Sequence, residues 1–439
     1  MANHHPFVRI SWISGIAGLL SILSAGANAS GFALIEQSVS SMGTAYAQGS
    51  SGIDDASTIY FNPAGMTRLP GRNVTGGVHV VDSNVDFKGS AVYNPTHPGF
   101  AGGPPAGASI AGADDIDIGL TQPVPNFYYS HAYSPRSWIG IGVNAPFGLK
   151  TDYDANWIGR YHADKSELIT ININPSFAFK INEHASIGLG ISTMYADAEL
   201  TNWADVGLQS GLPGTSDALA TVKGDDWGFG FNGGIILQPS PQTRLGLHYR
   251  SQVNLELEGD FTLTGITSTG ASAEVSLPGT LSFSAYHEYN NQWAVMADVT
   301  WTEWSQLDSL VIKRTGTEPI ISEFDWDDSF RVAIGATYRY NPTWLFRAGL
   351  AFDETPIRNA DLRTPRVPGE DRTWLAFGAN YKYSKELSFD FGYAHLFVDD
   401  PKINNLDAYT PSTFTGFHLL TGEYDAAVDI FSAQVNWKF

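Results

Sequence analysis

The sequence predicts an all-β fold, a transmembrane antiparallel β-barrel of about fourteen strands. Three observations carry this: an export signal at the N-terminus, long segments that alternate apolar and polar residues, and connections that switch between short turns and long polar loops.

Residues 1–29 read as a signal peptide. Ile10 to Leu23 (ISWISGIAGLLSIL) is apolar, follows Arg9, and precedes Ala27-Asn28-Ala29, an A-x-A cleavage pattern. It falls short of the ~20 residues that span a bilayer and contains glycines. Removing it takes away Arg9 and no acid, so the formal charge goes from −20 to −21. An acidic chain without clustered Lys/Arg argues against nucleic acid as a partner. The 439 residues contain 0 Cys, which excludes disulfides and thiolate metal sites.

Beyond residue 29 the apolar period is two. In Arg244 to Glu258 (RLGLHYRSQVNLELE), Leu245, Leu247, Tyr249, Val253, Leu255 and Leu257 form one face, opposite Arg244, His248, Arg250 and Glu256. Arg331 to Tyr340, Ser388 to Val398 and the stretch from Trp293 to Trp301 repeat the pattern. A soluble β-sandwich would use shorter strands and would not place aromatics such as Tyr128, Tyr129 and Trp437 near strand ends, the girdle positions of a barrel. Short turns are expected at Ser134-Pro135-Arg136, Asn182-Glu183-His184, Asn290-Asn291 and Ser384-Lys385-Glu386. Long loops are expected at Tyr93 to Ala113, Asn202 to Gly224 and Asp400 to Gly422. The final strand, Phe431 to Phe439, ends on an aromatic anchor.

If the apolar face meets lipid, Arg250, Arg331, Arg339, Arg347 and Arg372 point inward, because a charge on the lipid face at mid-membrane costs ~2–4 kcal/mol. An inward arginine suits a carboxylate, whether of a ligand or of a neighbouring acid. In the third strand, Trp138 to Leu149, Pro146 removes a ladder donor and Gly148 weakens pairing. The wall is expected to break over Asn144, Ala145, Pro146, Phe147 and Gly148. Gly228 to Gly233 matches G-x-G-x-x-G but lies in a strand with no helix after it, so no nucleotide site is expected. No zinc motif or nucleophile elbow occurs, and neither enzyme activity, metal nor cofactor is expected.

Several motifs, in order, resemble the FadL family of outer-membrane transporters of long-chain fatty acids and other hydrophobic compounds. They are Gly31-Phe32-Ala33-Leu34, Asp54-Asp55-Ala56, Asn62-Pro63-Ala64, His248-Tyr249-Arg250-Ser251, Thr302-Glu303-Trp304-Ser305-Gln306, Arg331 to Gly335, Arg347 to Asp353 and Asp371 to Leu375. The resemblance implies a barrel over 71–439 whose lumen holds an N-terminal hatch, 30–70. It also implies a kinked third strand through which a hydrophobic substrate leaves sideways into the membrane. Gly31, Phe32, Arg250, Arg331, Arg339 and Arg372 become candidates for substrate contact. Asn62-Pro63 suits a turn fixing the hatch. Asp54 and Asp55 either pair with lumen arginines or cap a short helix. The expected cargo is a fatty acid, alternatively an aromatic or other hydrocarbon, with a general porin or surface receptor as weaker readings. The setting would be the outer membrane of a Gram-negative bacterium, in contact with its lipid. The terminal Phe439 resembles the signal read by the barrel assembly machinery, and a closed barrel is expected to suffice as a monomer.

Overall fold

The computed structural model describes residues 31–96, 105–413 and 415–439. The expected signal peptide lies outside them, as do residues 97–104 of the first long loop.

Fourteen antiparallel staves close into one ring. In chain order they are β1 (Arg72–Tyr93), β2 (Leu120–Ser134), β3 (Ser137–Asn144, resuming at Gly148–Asp152), β4 (Lys165–Asn182), β5 (Ala185–Asp205), β6 (Asp217–Ser240) and β7 (Thr243–Arg250, resuming at Val253–Leu263). The second half is β8 (Thr267–Leu277, then Thr280–Glu288), β9 (Trp293–Thr302, then Ser309–Arg314), β10 (Thr317–Glu323, then Ser329–Arg339), β11 (Trp344–Asp353), β12 (Arg372–Lys382), β13 (Leu387–Val398) and β14 (His418–Lys438). β1 pairs with β14 from Asn73↔Lys438 to Tyr93↔His418, and this seam removes both sheet edges.

Alternation puts the large apolar side chains outside. On β6 the outward row runs Trp227, Phe229, Phe231, Ile235, Leu237, with Phe229 70% exposed. The ten residue steps from 227 to 237, at ~3.3 Å each on a strand tilted ~40°, give a belt about 25 Å tall, the height of a bilayer's apolar layer. Tyr195 and Trp227 pair at its upper rim, ring centroids 5.2 Å apart.

Three expectations change. β5 and β6 stay paired to Asp205↔Asp217, so the loop expected over 202–224 shrinks to 206–216; Gly207, Gly211 and Gly214 stay in it, while Asp205, Asp217 and Gly224 lie on the strand pair. Within Asp400 to Gly422 a further strand, Lys402–Leu406, pairs with β14. Tyr128 belongs to no girdle: neighbours on a strand face opposite sides, and Tyr128 is buried with its hydroxyl donating to the Gln37 carbonyl.

The fourth correction concerns Arg244 to Glu258. Between the pairs Asn232↔Arg250 and Asp225↔Glu258, seven steps of β6 oppose eight of β7. This one-residue bulge at Ser251-Gln252 inverts the face of everything above it. Leu247 and Tyr249 meet lipid, whereas Val253 and Leu255 are buried in the lumen. Ser251 Oγ accepts the Phe231 N–H at 2.9 Å, standing in for the carbonyl that the bulge displaces.

Candidate functional site

Residues 31–69 pack inside the ring. The segment holds two single-turn helices, α1 (Val39–Met42), capped by Ser38 Oγ accepting from the Ser41 N–H, and α2 (Thr58–Phe61), followed by a 3-10 turn over Pro63–Arg68. Asn62 fixes it to the wall. Its Oδ1 accepts the Ala64 N–H at 3.0 Å, and its Nδ2 donates to the Ser50 carbonyl at 2.7 Å and points at the Ile235 and Leu247 carbonyls of the wall. Wall glycines make the approach feasible. A Cβ on Gly246 would lie 1.8 Å from the Ser50 carbonyl oxygen, and one on Gly188 2.2 Å from the Ala64 nitrogen.

The two adjacent acids of this segment do different things. Asp54 is exposed at the short-turn end and reaches Arg68 at 3.5 Å and Arg244 at 3.6 Å. Desolvation raises its carboxyl, but Arg244 and Arg68 outweigh that and hold it below the usual carboxylate range. Asp55 is buried and, among the described residues, lies within ion-pair distance of no arginine. It accepts from Ser40 Oγ and Ser57 Oγ, both at 2.5 Å, and from Gln434 Nε2 at 3.1 Å. Burial, then the nearby Asp390, pushes its carboxyl up.

At its start the segment reaches an aromatic cage. The Phe32 ring lies 4.9 Å from Trp304, 5.9 Å from Trp326 and 6.2 Å from Phe147, centroid to centroid. Leu149, Val253, Leu255 and Phe324 belong to the same buried cluster. Gly31 adopts φ +63°, a left-handed conformation suited to glycine, with Trp304 against the position a Cβ would take.

Here β3 is interrupted. Asn144 pairs with Asn172 and Gly148 with Ile169, so four steps of β3 oppose three of β4, and this second bulge turns Phe147 and Leu149 into the lumen. Among the described residues β2 and β3 pair no further than Phe127↔Val143. Pro123 and Pro125 of β2, without N–H groups, border the gap. The N-terminal segment supplies the missing partners. Leu34 N–H donates to the Pro146 carbonyl at 2.8 Å, Gly148 N–H to the Phe32 carbonyl at 3.0 Å, and Gln37 Nε2 to the Ala145 carbonyl at 2.7 Å. Thr170 Oγ1 donates to the Phe147 carbonyl at 2.6 Å from the β4 side.

The inward arginines divide. Arg250 donates to Ser192 Oγ at 3.1 Å and the Tyr60 carbonyl at 2.8 Å, over the Tyr60 ring. Arg331 donates to the Ala45 carbonyl at 2.9 Å and lies over the Tyr46 and Trp374 rings, its Nε and Nη1 without partners. Among the described residues neither is within ion-pair distance of a carboxylate. Arg347 pairs with Asp390 at 2.6 Å, and Arg372 is buried near Glu36 and Asp353. Arg339 stands apart from them. Sharing their parity, it is the last residue of β10, exposed at the short-turn end, and it donates to the Asn291 carbonyl.

Three residues of this site escape the sequence reading as site residues: Trp304, Trp326 and Glu36. The tryptophans lie in breaks between strand pieces, where period gives no orientation. Glu36 is the lone acid in GFALIEQSVSSM, a run otherwise neutral and mostly apolar or small. It is 2% exposed, and burial raises its carboxyl to about 7 against the opposing pull of its own backbone amide, then of Arg372 and Arg331.

The family described as outer membrane protein transport protein (OMPP1/FadL/TodX) matches residues 20–439. A long-chain fatty acid transport protein of Escherichia coli O6:H1 is 29% identical, across 97% of this chain and 98% of its own. Outer membrane protein P1 of Haemophilus influenzae is 31% identical, across 87% and 89%. The crystal structure of a Pseudomonas aeruginosa FadL homologue matches with a TM-score of 0.85 at 25% identity, over 93% of this chain and 100% of that one. A closed barrel with a lipid-facing belt and an internal N-terminal segment agrees with these matches over residues 20–439: the chain belongs to the OMPP1/FadL/TodX family of outer-membrane transport proteins.

Proposed function

We propose that the protein admits long-chain fatty acids across the outer membrane and releases them sideways through the wall. The reading rests on one observation: the segment that seats Phe32 in the aromatic cage, 31–34, is the one that completes the interrupted β3. A chain entering the cage competes with the Phe32 ring for the same apolar surroundings, and burying a methylene there stabilises by about 0.8 kcal/mol. Displacing Phe32 withdraws Leu34 from Pro146 and the Phe32 carbonyl from Gly148, which leaves the gap beside β2 uncovered. Segment 30–70 then acts as the hatch of the barrel 71–439, and 144–148 as its lateral gate. The carboxylate head is taken by Arg331 or Arg250, buried guanidiniums held only by neutral acceptors, with Arg372 close by.

The cargo of the Escherichia coli relative supports the substrate class. The barrel works as a monomer in lipid, and Phe439 presents the terminal aromatic to the assembly machinery; a Phe439→Ala chain that assembles at the normal rate would remove that last point.

The decisive experiment restores a continuous strand with Pro146→Val and Gly148→Val, then measures oleate uptake in cells whose outer membrane contains the folded variant. Uptake should drop at least tenfold while oleate still binds the purified protein. Unchanged uptake would rule out the sideways exit. Equal affinity for oleate and an uncharged hydrocarbon of similar length would favour a hydrocarbon cargo instead.

A further inference from the structure

Four residues beyond Phe32, the Glu36 carboxyl sits in a chamber built of charge. Arg331 of β10 and Arg372 of β12 act on it favourably, Asp353 of β11 unfavourably, and its charge is felt in turn by the phenols of Tyr46 and Tyr60 on its own segment. No ion pair closes on it among the described residues, and Glu36 Oε2 has no hydrogen-bond partner. Arg331 Nε and Nη1 and the Tyr46 hydroxyl are likewise buried and unpartnered. Such groups are expensive to leave unmet, so their convergence marks a place that is completed by something arriving. Arg331 faces two claims on its charge: Glu36, already present, and the ligand head group.

We propose that Glu36 takes up a proton from solvent when a carboxylate ligand binds, so that the neutral acid leaves the positive field of Arg331 and Arg372 to the ligand. This rests on the fatty-acid reading above and adds a linkage to it. Two carboxylates cannot both draw fully on the same two guanidiniums in a dry site, and the one already desolvated is the easier to neutralise. No bond changes other than the O–H formed at Glu36; the proton comes from water and returns to it when the ligand leaves.

The sign follows from linkage. Burial already holds the Glu36 carboxyl near 7, and a second negative charge moves it further up. Below that value the acid is already protonated and ligand binding takes up nothing. Above it each ligand brings in up to one proton, so affinity falls by up to tenfold per pH unit.

The test is calorimetric titration of laurate, below its critical micelle concentration, at pH 8 in buffers of different ionisation enthalpy. Wild type and Glu36→Gln are compared, both checked for a folded barrel by heat-modifiable migration. Wild type should take up a proton that Glu36→Gln does not, and the variant's affinity should lose its decline between pH 7 and 9. Any proton gained by laurate itself is common to both. Laurate binding with the same uptake in both proteins overturns the linkage and leaves the fatty-acid reading standing. Failure of laurate to bind either protein overturns that reading and this inference with it. A second measurement needs no variant: dodecyl sulfonate carries a head group that stays charged, so wild type binding it without proton uptake also overturns the proposal.

Discussion

The Gly148 amide donates to the Phe32 carbonyl at 3.0 Å, so wall and N-terminal segment share a hydrogen bond where, among the described residues, β2 and β3 share none. The strength of that wall thus depends on a side chain seated in the lumen. Substitutions on either side of the contact make the dependence measurable.

Phe32→Ala empties the aromatic cage. Losing a buried phenyl costs about 3–5 kcal/mol where the surroundings cannot collapse, and here the loss falls on the seating of 31–34 rather than on the barrel. Planar-bilayer recordings should show more frequent openings than wild type, and amide exchange should speed up at Leu34 and Gly148. Wild-type exchange at both would mean that the ring does not hold the segment.

Gly246→Val places a side chain where the Ser50 carbonyl lies. Overpacking against backbone costs at least 1–3 kcal/mol, and undocking the segment relieves it. Limited proteolysis should then cut within 31–70 while the barrel keeps its resistance to detergent. Gly76→Val is the control, since its nearest neighbour would be Phe127 at 4.0 Å.

Arg331→Met keeps the stem and removes the guanidinium. A hydrogen bond to a charged group contributes about 1.5–3 kcal/mol, so laurate affinity should fall at least tenfold while dodecanol affinity holds. An equal loss for both ligands would trace the effect to Ala45, whose carbonyl Arg331 holds.

Asp54→Asn tests the contact at the short-turn end. The Asp54 carboxyl is held below its ordinary value, so its contribution is full above the usual carboxylate range and disappears as pH falls through the lowered value. The side chain is 71% exposed, and solvent screening keeps the effect within about 1 kcal/mol. At low salt, wild type should lose some protease protection of 54–68 below about pH 4. The variant should show that reduced protection at every pH.

The outward row of Arg331 to Tyr340 and the inward course of Arg250, Arg331 and Arg372 were both legible, because lipid forces the choice of face on any strand that crosses it, whereas Arg339 ends its strand in the open. Asn62-Pro63-Ala64 was legible as a turn, but its grip on the Ile235 and Leu247 carbonyls depends on glycines in strands far along the chain. Val253 and Leu255 could not be read correctly from period alone. The bulge beside them adds one residue without disturbing the alternation, and lipid and an apolar lumen make the same demand of a side chain. Trp304 and Trp326 sit where strands pause, and nothing local tells such a residue to turn inward. The place of Glu36 beside Arg331 and Arg372 joins positions some three hundred residues apart.

The bulge at Ser251-Gln252 gives the upper half of this wall one spare residue of chain length. Deleting either residue would let β7 match β6 step for step, with Val253 and Leu255 still toward the cargo and Asn254 and Glu256 still outside. Substitutions in β7 can be graded by size and polarity; a missing codon at the bulge is the one shortening of that strand that keeps the passage lined as it is.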